Sequence, residues 1–233
     1  MLMRVLAIDC STEWLSVAAG DASETIERRE HAGQSHSQRV LPLVDELLAG
    51  RGWRLHELDG IAFGAGPGSF TGVRIACGVA QGLALGASLR VVPVATLEAL
   101  AHSARRLHGV AASRVLACLD ARMREIYVAA YEHDGDRWRV AKAPDVLEPD
   151  ELMPLAGTWF GAGEGYAAYP ELAARLRLAA IDATLAPSAR AMVELAMPRL
   201  QAGESVDAAH ALPLYVRHRV ALTAAERAAG AKL

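Results

Sequence analysis

The sequence predicts an α/β protein built from two similar lobes. Short apolar runs that end in Asp or in a glycine-rich turn alternate with amphipathic segments, which is typical of strands and helices that share a core. The first of these units recurs about 110 residues later. At 233 residues the chain can hold two small domains, since domains cluster near ~100–150 residues. We expect the lobes to join near Gly109, as residues 1–109 and 110–233.

Composition and charge narrow the class of protein. Apolar residues make up 52% of the chain and charged residues 22%, so a sizeable core can be buried. The net charge of −3 offers none of the Lys and Arg excess that direct contacts with RNA phosphates require. Three cysteines lie in apolar runs without a CxxC pair, which indicates reduced thiols. The first residues show no signal peptide. We therefore expect a cytoplasmic location and no membrane contact.

The first lobe opens with a predicted β-hairpin. The apolar run Arg4–Asp9 and the returning run Trp14–Ala19 are joined by Cys-Ser-Thr, and a third strand is expected near Glu24–Glu30. A helix is expected after Ser35, which offers an N-cap, and Gly50 should end it. Pro42 indicates that this helix starts nearby or is kinked. Apolar residues recur at helical spacing on one face of this segment: Val40, Leu41, Val44, Leu47 and Leu48.

A glycine-rich turn, Gly64–Gly72, links a short strand to a second helix, expected over about Val73–Leu89. Within that helix Gly78, Gly82 and Gly86 lie four residues apart, and each costs about 1 kcal/mol of helix stability against alanine. Such a cost predicts that another backbone packs against the glycine ridge. Arg74, Gln81 and the glycines interrupt the apolar run, so we expect it to fall short of a membrane span. A strand (residues 89–94) and a helix (residues 97–107) complete the lobe.

The second half of the chain repeats the first. Arg114–Asp120 restates Arg4–Asp9 with one extra residue, and Ile126–Ala130 restates Leu15–Ala19. The two matches fall at almost the same offset, each as strand, Asp, polar turn and strand. This pattern predicts an internal duplication of the hairpin unit.

The tip of the first hairpin is a candidate nucleotide loop. In the actin, sugar kinase and Hsp70-like superfamily such a tip holds ATP phosphates, with the carboxylate positioning a metal ion. Asp9, Ser11 and Thr12 would fill these roles here, although the glycine that the superfamily prefers in the tip is absent. The alternative is an ordinary Asx or Ser turn that closes the hairpin.

The glycine-rich turn could likewise hold an anion at a helix N-terminus, through Gly66, Gly68 and Ser69. It lacks the Lys-Ser/Thr of a P-loop, and neither GxGxxG nor GxSxG fits it, so a tight structural turn is the alternative. Gly161–Gly165 is a similar, weaker signal. No HxxxH or HExxH pair is present, so no metal site is predicted. His36, beside two serines, is expected to cap a helix or lie on the surface.

Five segments carry a family resemblance: Ala7–Thr12, His36–Pro42, Gly66–Ile75, Leu119–Met123 and Pro213–Arg217. In this order they resemble the TsaB family of bacterial tRNA threonylcarbamoyladenosine biosynthesis proteins. The resemblance spans about residues 3–217, and only the last dozen or so residues match nothing. It implies two α/β lobes of the actin, Hsp70 and sugar-kinase (ribonuclease H-like) type.

The resemblance also implies a function. TsaB pairs with its paralogue TsaD, and TsaE joins them in a complex that transfers a threonylcarbamoyl group from threonylcarbamoyl-AMP to the adenosine next to the tRNA anticodon. This chain would then be a non-catalytic partner that reaches tRNA only through the complex and forms a homodimer when alone. No cofactor should bind tightly, with ATP or ADP possible only in the complex.

A departure from TsaD supports the non-catalytic role. TsaD holds its metal through His-Met-Glu-Gly-His, and the corresponding stretch here is Thr96–Leu100. Thr96 and Leu100 thus stand where the two histidines would be, and leucine cannot ligate a metal. Two enzymatic alternatives are a glycoprotease-type peptidase and a small-molecule kinase or ATPase of the same superfamily.

The partner interface is expected on two helices, over residues 38–48 and 72–86, because TsaB and TsaD associate through the first helices of their N-terminal lobes. The residues proposed for it are Val40, Leu41, Val44, Gly78, Gly82 and Gly86. The alternative is that the glycine ridge packs against a helix of its own domain.

Overall fold

The structure is a computed structural model and describes residues 3–135 and 137–217. The C-terminal residues for which the sequence predicted no role lie outside the described residues.

The first lobe contains a five-stranded mixed sheet in the order β3-β2-β1-β4-β5. Its strands are β1 (Val5–Asp9), β2 (Trp14–Gly20), β3 (Thr25–His31), β4 (Gly60–Gly66) and β5 (Arg90–Ala95). The central β1 pairs antiparallel with β2 and parallel with β4, so the predicted hairpin is confirmed. Three helices follow the strands: α1 (His36–Arg51), α2 (Phe70–Ala87) and α3 (Thr96–His108).

The second lobe repeats this arrangement with β6 (Arg114–Arg122), β7 (Glu125–His133), β8 (Trp138–Leu147), β9 (Phe160–Ala162) and β10 (Ala180–Asp182). Its sheet runs β8-β7-β6-β9-β10, which is the order of the first sheet. The helices are α4 (Gly165–Ala168), α5 (Glu171–Arg175) and α6 (Ala189–Gln201). The two-lobed α/β fold of the actin type and the predicted duplication are confirmed.

Two helices, α3 and α6, pack against the sheet formed by the other half of the chain. α1 and α2 cover one face of the first sheet, and α6 covers its other face with Met192 and Val193. α3 instead packs Leu97 and Leu100 against the second sheet. A boundary near Gly109 therefore separates the two sheets but not their cores, and the two-domain division stays a prediction.

Local chemistry sets the ends of the helices. The Ser69 hydroxyl accepts the Gly72 N–H at 3.3 Å, so α2 begins at Phe70, three residues earlier than predicted. α1 runs to Arg51, and Gly52 in the left-handed conformation (φ 64°) ends it instead of Gly50. The Ser35 hydroxyl donates to the Ala32 carbonyl at 2.7 Å and does not cap α1.

By length and composition alone α2 is apolar enough to cross a membrane, with a mean hydropathy of 1.3 over 18 residues. Core helices of soluble proteins meet the same criterion, and the expectation that α2 falls short of a membrane span stays a prediction. In the protein 33% of the helix is buried, and Ala76, Ala80 and Ala84 lie in the core of the first lobe. The helix therefore covers the first sheet with one face and leaves the other exposed.

Candidate functional site: the cleft between the lobes

A cleft of about 520 Å³ lies between the two lobes. The first lobe contributes the β1–β2 tip and the glycine-rich turn, the second lobe contributes the β6–β7 tip, and the chain after α6 adds a further wall. Polar side chains that line the cleft are Ser11, Thr12, Glu13, Ser69, Asp120, Arg122, Glu164 and Arg217. The duplicated hairpins thus face each other across the cleft.

At the β1–β2 tip Asp9 points into the protein. Its carboxylate is fully buried and accepts the Ser11 hydroxyl at 2.9 Å and the Ser11 N–H at 3.4 Å. Burial raises the pKa of Asp9 to about 6, and the two hydrogen bonds from Ser11 oppose that rise. Ser11 and Thr12 line the cleft but Asp9 does not. This geometry is the Asx or Ser turn that was the alternative to a metal-positioning carboxylate.

The glycine-rich turn packs directly on that tip. The Ser69 N–H donates to the Ser11 carbonyl at 2.7 Å, and a Cβ added at Gly68 would lie only 2.8 Å from the Ser11 Cβ. Gly68 and Ser69 line the cleft, as predicted for a loop at this position. Gly66 does not line it, because its N–H is bound to the Thr96 hydroxyl at 3.1 Å.

Charged side chains line the second-lobe wall of the cleft. Asp120 accepts the Arg122 N–H at 2.9 Å and its guanidinium at 3.2 Å, and the same guanidinium reaches Glu13 of the first lobe at 3.1 Å. Burial and the neighbouring Asp120 raise the pKa of Glu164. Within residues 3–135 and 137–217, no group of three or more His, Cys, Asp or Glu side chains is placed to hold a metal ion.

The cleft wall formed by the chain after α6 was missed from the sequence. Leu214, Tyr215 and Arg217 line the cleft, together with Tyr127 and Gln34. Pro213–Arg217 is one of the five segments that carry the family resemblance. Its sequence has no periodicity or spacing that would predict a position at a cleft. Its position follows only from tertiary contacts with both lobes.

Thr96 and Leu100, where the resemblance placed the counterparts of two metal-binding histidines, serve the core here. Thr96 is fully buried and accepts the Gly66 N–H, and Leu100 is fully buried beneath the second sheet. His36 was expected at the surface or as a cap, but it is 5% exposed. Its Nε2 has no hydrogen-bond partner among the described residues. The expectation for His36 was therefore wrong, because α1 turns this first residue inward.

The residues proposed for a partner interface divide into two groups. Val40 and Val44 are 1% exposed and belong to the core of the first lobe, so their placement on an outward surface was wrong. One turn apart on α1, they share the face that packs on the sheet. Leu41 is adjacent on the helix and 47% exposed.

The glycine ridge of α2 faces outward. A Cβ added at Gly78, Gly82 or Gly86 would meet no atom within 4 Å among the described residues. Among residues 3–135 and 137–217 no helix packs against this ridge, so the helices over residues 40–48 and 97–107 are excluded as its partner. Leu85, on the same side of α2, is 75% exposed.

Comparisons with known proteins identify the family. A family model described as TsaD, tRNA N6-adenosine threonylcarbamoyltransferase, matches residues 23–225. The tRNA threonylcarbamoyladenosine biosynthesis protein TsaB of Escherichia coli K12 is 41% identical over 94% of this chain and 96% of its own length. This chain belongs to the TsaB family. The TsaB protein of Haemophilus influenzae is 38% identical over 94% of this chain and 95% of its own.

Solved structures support the same TsaB-family fold. YeaZ from Pseudomonas aeruginosa superposes with a TM-score of 0.85 at 42% identity, covering 91% of this chain and 99% of that protein. A second Pseudomonas aeruginosa structure, described as similar to peptidase YEAZ, gives a TM-score of 0.86 at 42% identity over 92% of this chain and all of its own. The resemblance of the five motifs is thus confirmed along nearly the whole chain.

Proposed function

We propose that this TsaB-family chain acts in tRNA threonylcarbamoyladenosine biosynthesis as a non-catalytic partner of TsaD. In the cytoplasm it would join TsaD and TsaE in the complex that transfers a threonylcarbamoyl group to the adenosine next to the anticodon. It would reach tRNA only through that complex.

The observation that carries this proposal is the chemistry at Thr96 and Leu100. Both side chains are fully buried, one holding the glycine-rich turn and the other packing under the second sheet. A metal ion at these positions would need two imidazoles, and the space is already used by the core. The fold has therefore kept the scaffold of a TsaD-like protein while these positions serve packing.

The exposed face of α2 supports a partner role. Three glycines and Leu85 lie outward on a helix whose mean hydropathy is 1.3, and no described residue packs against the glycines. A bare glycine ridge lets the backbone of another helix approach closely, which would offset its low helix propensity. Leu41 on the neighbouring α1 is exposed as well. We therefore keep Leu41, Gly78, Gly82 and Gly86 as the proposed contact and remove Val40 and Val44.

The cleft supports weak nucleotide binding at most. Asp9 is turned away from it, and the Arg122 guanidinium is bound to Asp120 and Glu13. We propose that the free chain holds no cofactor tightly and that ATP or ADP binds only within the complex.

The decisive experiment replaces Gly82 with leucine and measures affinity for TsaD of the same organism. The added side chain meets no atom of this chain within 4 Å at its Cβ, so folding should be retained. At a helix contact the same side chain would hold the two backbones apart, and we expect binding to fall at least ~100-fold, a loss of about 3 kcal/mol.

Two control variants accompany it. Gly82→Ala adds one methyl group and should lose much less affinity, whereas Ala174→Leu places an equal bulk on the exposed surface of α5 and should bind TsaD normally. The free chain should form a homodimer through the same face, so TsaD should compete with it. Unchanged TsaD affinity in a folded Gly82→Leu protein would place the interface elsewhere.

A small-molecule kinase or ATPase is the second candidate, favoured by the hydroxyl-lined cleft between two duplicated lobes. ATP turnover near ~10 s⁻¹ by the purified chain would support it over the partner role. A peptidase would need a nucleophile, but Cys10, Cys77 and Cys118 are buried, and burial raises the pKa of each thiol.

A further inference from the structure

The segment Ala211–Arg217 follows α6 and crosses from one lobe to the other along the cleft. It has no regular secondary structure. It lies at the end of the second half of the sequence, yet its first residues rest on α2 of the first lobe. Its last residues reach the β6–β7 tip of the second lobe.

The first-lobe attachment uses directional hydrogen bonds. The Ala211 carbonyl accepts the Gln81 side-chain amide at 2.8 Å and the Cys77 thiol at 3.3 Å. The Leu214 N–H donates to the Ala65 carbonyl at 2.7 Å, which extends the hydrogen bonding of β4 by one bond. The backbone of the segment is therefore held at two points on this lobe.

An aromatic contact adds to these bonds. The Arg74 Nε donates to the Tyr215 hydroxyl at 2.9 Å, and its guanidinium lies 3.7 Å from the centre of the Phe70 ring. The Phe70 and Tyr215 rings are 5.9 Å apart. Since Phe70 is the first residue of α2, this contact holds the segment to the start of that helix.

The glycine-rich turn leaves room for the segment. A Cβ at Gly66 would lie 2.8 Å from the Leu214 carbonyl oxygen, closer than any real Cβ contact. Gly66 also has φ +106°, a conformation that other residues rarely adopt. Gly66 is thus required by the passage of Ala211–Arg217 and not by the cleft, which Gly66 does not line.

The second-lobe attachment is made by Arg217. Its guanidinium donates to the Ala121 carbonyl at 2.9 Å and forms a salt bridge with Glu125. The Arg217 side chain is only 17% exposed, so solvent screens this pair less than a surface pair. By contrast, Arg122 and Glu13, which also join the two lobes, are 72% and 60% exposed.

From these contacts we infer that Ala211–Arg217 is a clasp that sets the width of the interlobe cleft. Its two ends are fixed to different lobes, and Leu214, Tyr215 and Arg217 form part of the cleft wall. Opening the cleft further requires Arg217 to leave the β6–β7 tip or Tyr215 to leave α2.

Hydrogen exchange on the full-length chain tests this inference. The reporting amides are those of Ser69, bound to the Ser11 carbonyl, and Arg122, bound to Asp120, because both lie on the cleft walls. Arg217→Gln and Tyr215→Ala should each accelerate exchange about fivefold or more in peptides that contain these amides. Leu212→Ala, within the clasp at a side chain that is 68% exposed and forms none of the contacts described above, is the matched control and should leave exchange unchanged.

Two further measurements separate a clasp from general loss of stability. Peptides from β1 (Val5–Asp9), in the core of the first lobe, should exchange at the parent rate in both variants. Glu125→Gln should act in the same direction as Arg217→Gln but less strongly, because Arg217 also donates to the Ala121 carbonyl, and the double variant should not exceed Arg217→Gln. Exchange within about twofold of the parent at both cleft walls, or equal acceleration in β1, overturns the inference.

Discussion

Gly72 and Gly78 lie on the same helix, and replacing each with alanine should change stability in opposite directions. A Cβ at Gly72 would overlap the Cys10 carbonyl oxygen and lie 2.9 Å from its carbonyl carbon, where ordinary contacts begin at 3.4 Å. Because the carbonyl oxygen lies closer still than the carbonyl carbon, the start of α2 or the hairpin tip must retreat by clearly more than ~0.5 Å. A Cβ at Gly78 would meet no described atom within 4 Å.

The magnitudes follow from two terms. Alanine in place of glycine stabilises a helix interior by up to about 1 kcal/mol, and both variants receive this gain to a first approximation. Overpacking costs about 1–3 kcal/mol, and the upper end applies at Gly72 because the obstacle is backbone that cannot rotate away. Gly78→Ala should therefore stabilise by ~0.5–1 kcal/mol, and Gly72→Ala should destabilise by ~1–2 kcal/mol.

Urea unfolding followed by circular dichroism measures both variants, provided that the m-values agree with that of the parent. The difference between the two variants removes the shared helix term and should be ~2–3 kcal/mol, or a separation of roughly 4–12 °C in Tm. Shifts of the same sign would refute the reasoning. So would a Gly72→Ala protein within ~0.5 kcal/mol of the parent, since the turn would then not be in close contact with the hairpin.

Three further predictions concern titration, thiol access and a surface ion pair. Burial raises the pKa of Asp9 to about 6, above its unfolded value, so folding takes up a proton as the pH falls. Between pH 7 and pH 5 the free energy of unfolding of the parent should rise by ~1 kcal/mol relative to that of Asp9→Asn. Urea midpoints of the two proteins that shift equally between these pH values would contradict this. The pKa of Cys118 is raised to about 12 by burial, so iodoacetamide should label it only after unfolding; labelling of Cys118 in native protein, located by peptide mass, would contradict this. Glu13 and Arg122 are 60% and 72% exposed, so a double-mutant cycle should give ~0.5 kcal/mol or less, vanishing in 1 M salt; a larger coupling would make this pair a second clasp.

Local patterns predicted the first lobe and the β6–β7 hairpin, because these are built from local units, but they did not predict β8, β10 or α4–α6. The β1–β2 hairpin, the turn after β4 and the repeat at β6–β7 are all visible as apolar runs with polar or glycine-rich ends. What the patterns could not provide is which sheet each helix covers. α3 and α6 both have an apolar face, but amphipathicity does not say that α3 packs on the second sheet and α6 on the first.

The candidate site was predicted less well, for a related reason. Ser11, Thr12, Gly68 and Ser69, predicted as residues of nucleotide loops, line the cleft because the turns after β1 and β4 lie there; that they bind a nucleotide stays a prediction. The direction of a side chain was not predictable: Asp9 turns inward to Ser11. Val40 was assigned outward with Leu41, since one apolar stripe can serve either a core or a partner.

The glycine-rich runs can now be assigned a physical cause in both lobes. In the first lobe a Cβ at Gly68 would meet Ser11, and a Cβ at Gly72 would overlap Cys10. In the second lobe Cβ atoms at Gly163 and Gly165 would lie 3.2 Å and 3.0 Å from the carbonyl carbon of Cys118. Cys10 directly follows β1, whereas Cys118 lies inside β6, two residues before Asp120, so each turn crosses its hairpin near the strand end but not at equivalent positions.

Each lobe thus needs small residues where its turn crosses its own hairpin, whether or not a phosphate is ever bound there. Bound nucleotide would add a reason for these glycines, but packing alone already requires them. The motif that most resembles a nucleotide loop is therefore evidence for the duplicated fold and not for ATP. A partner protein of this fold would retain the glycines without any metal ligand, and the buried Thr96 and Leu100 agree with the partner role proposed above.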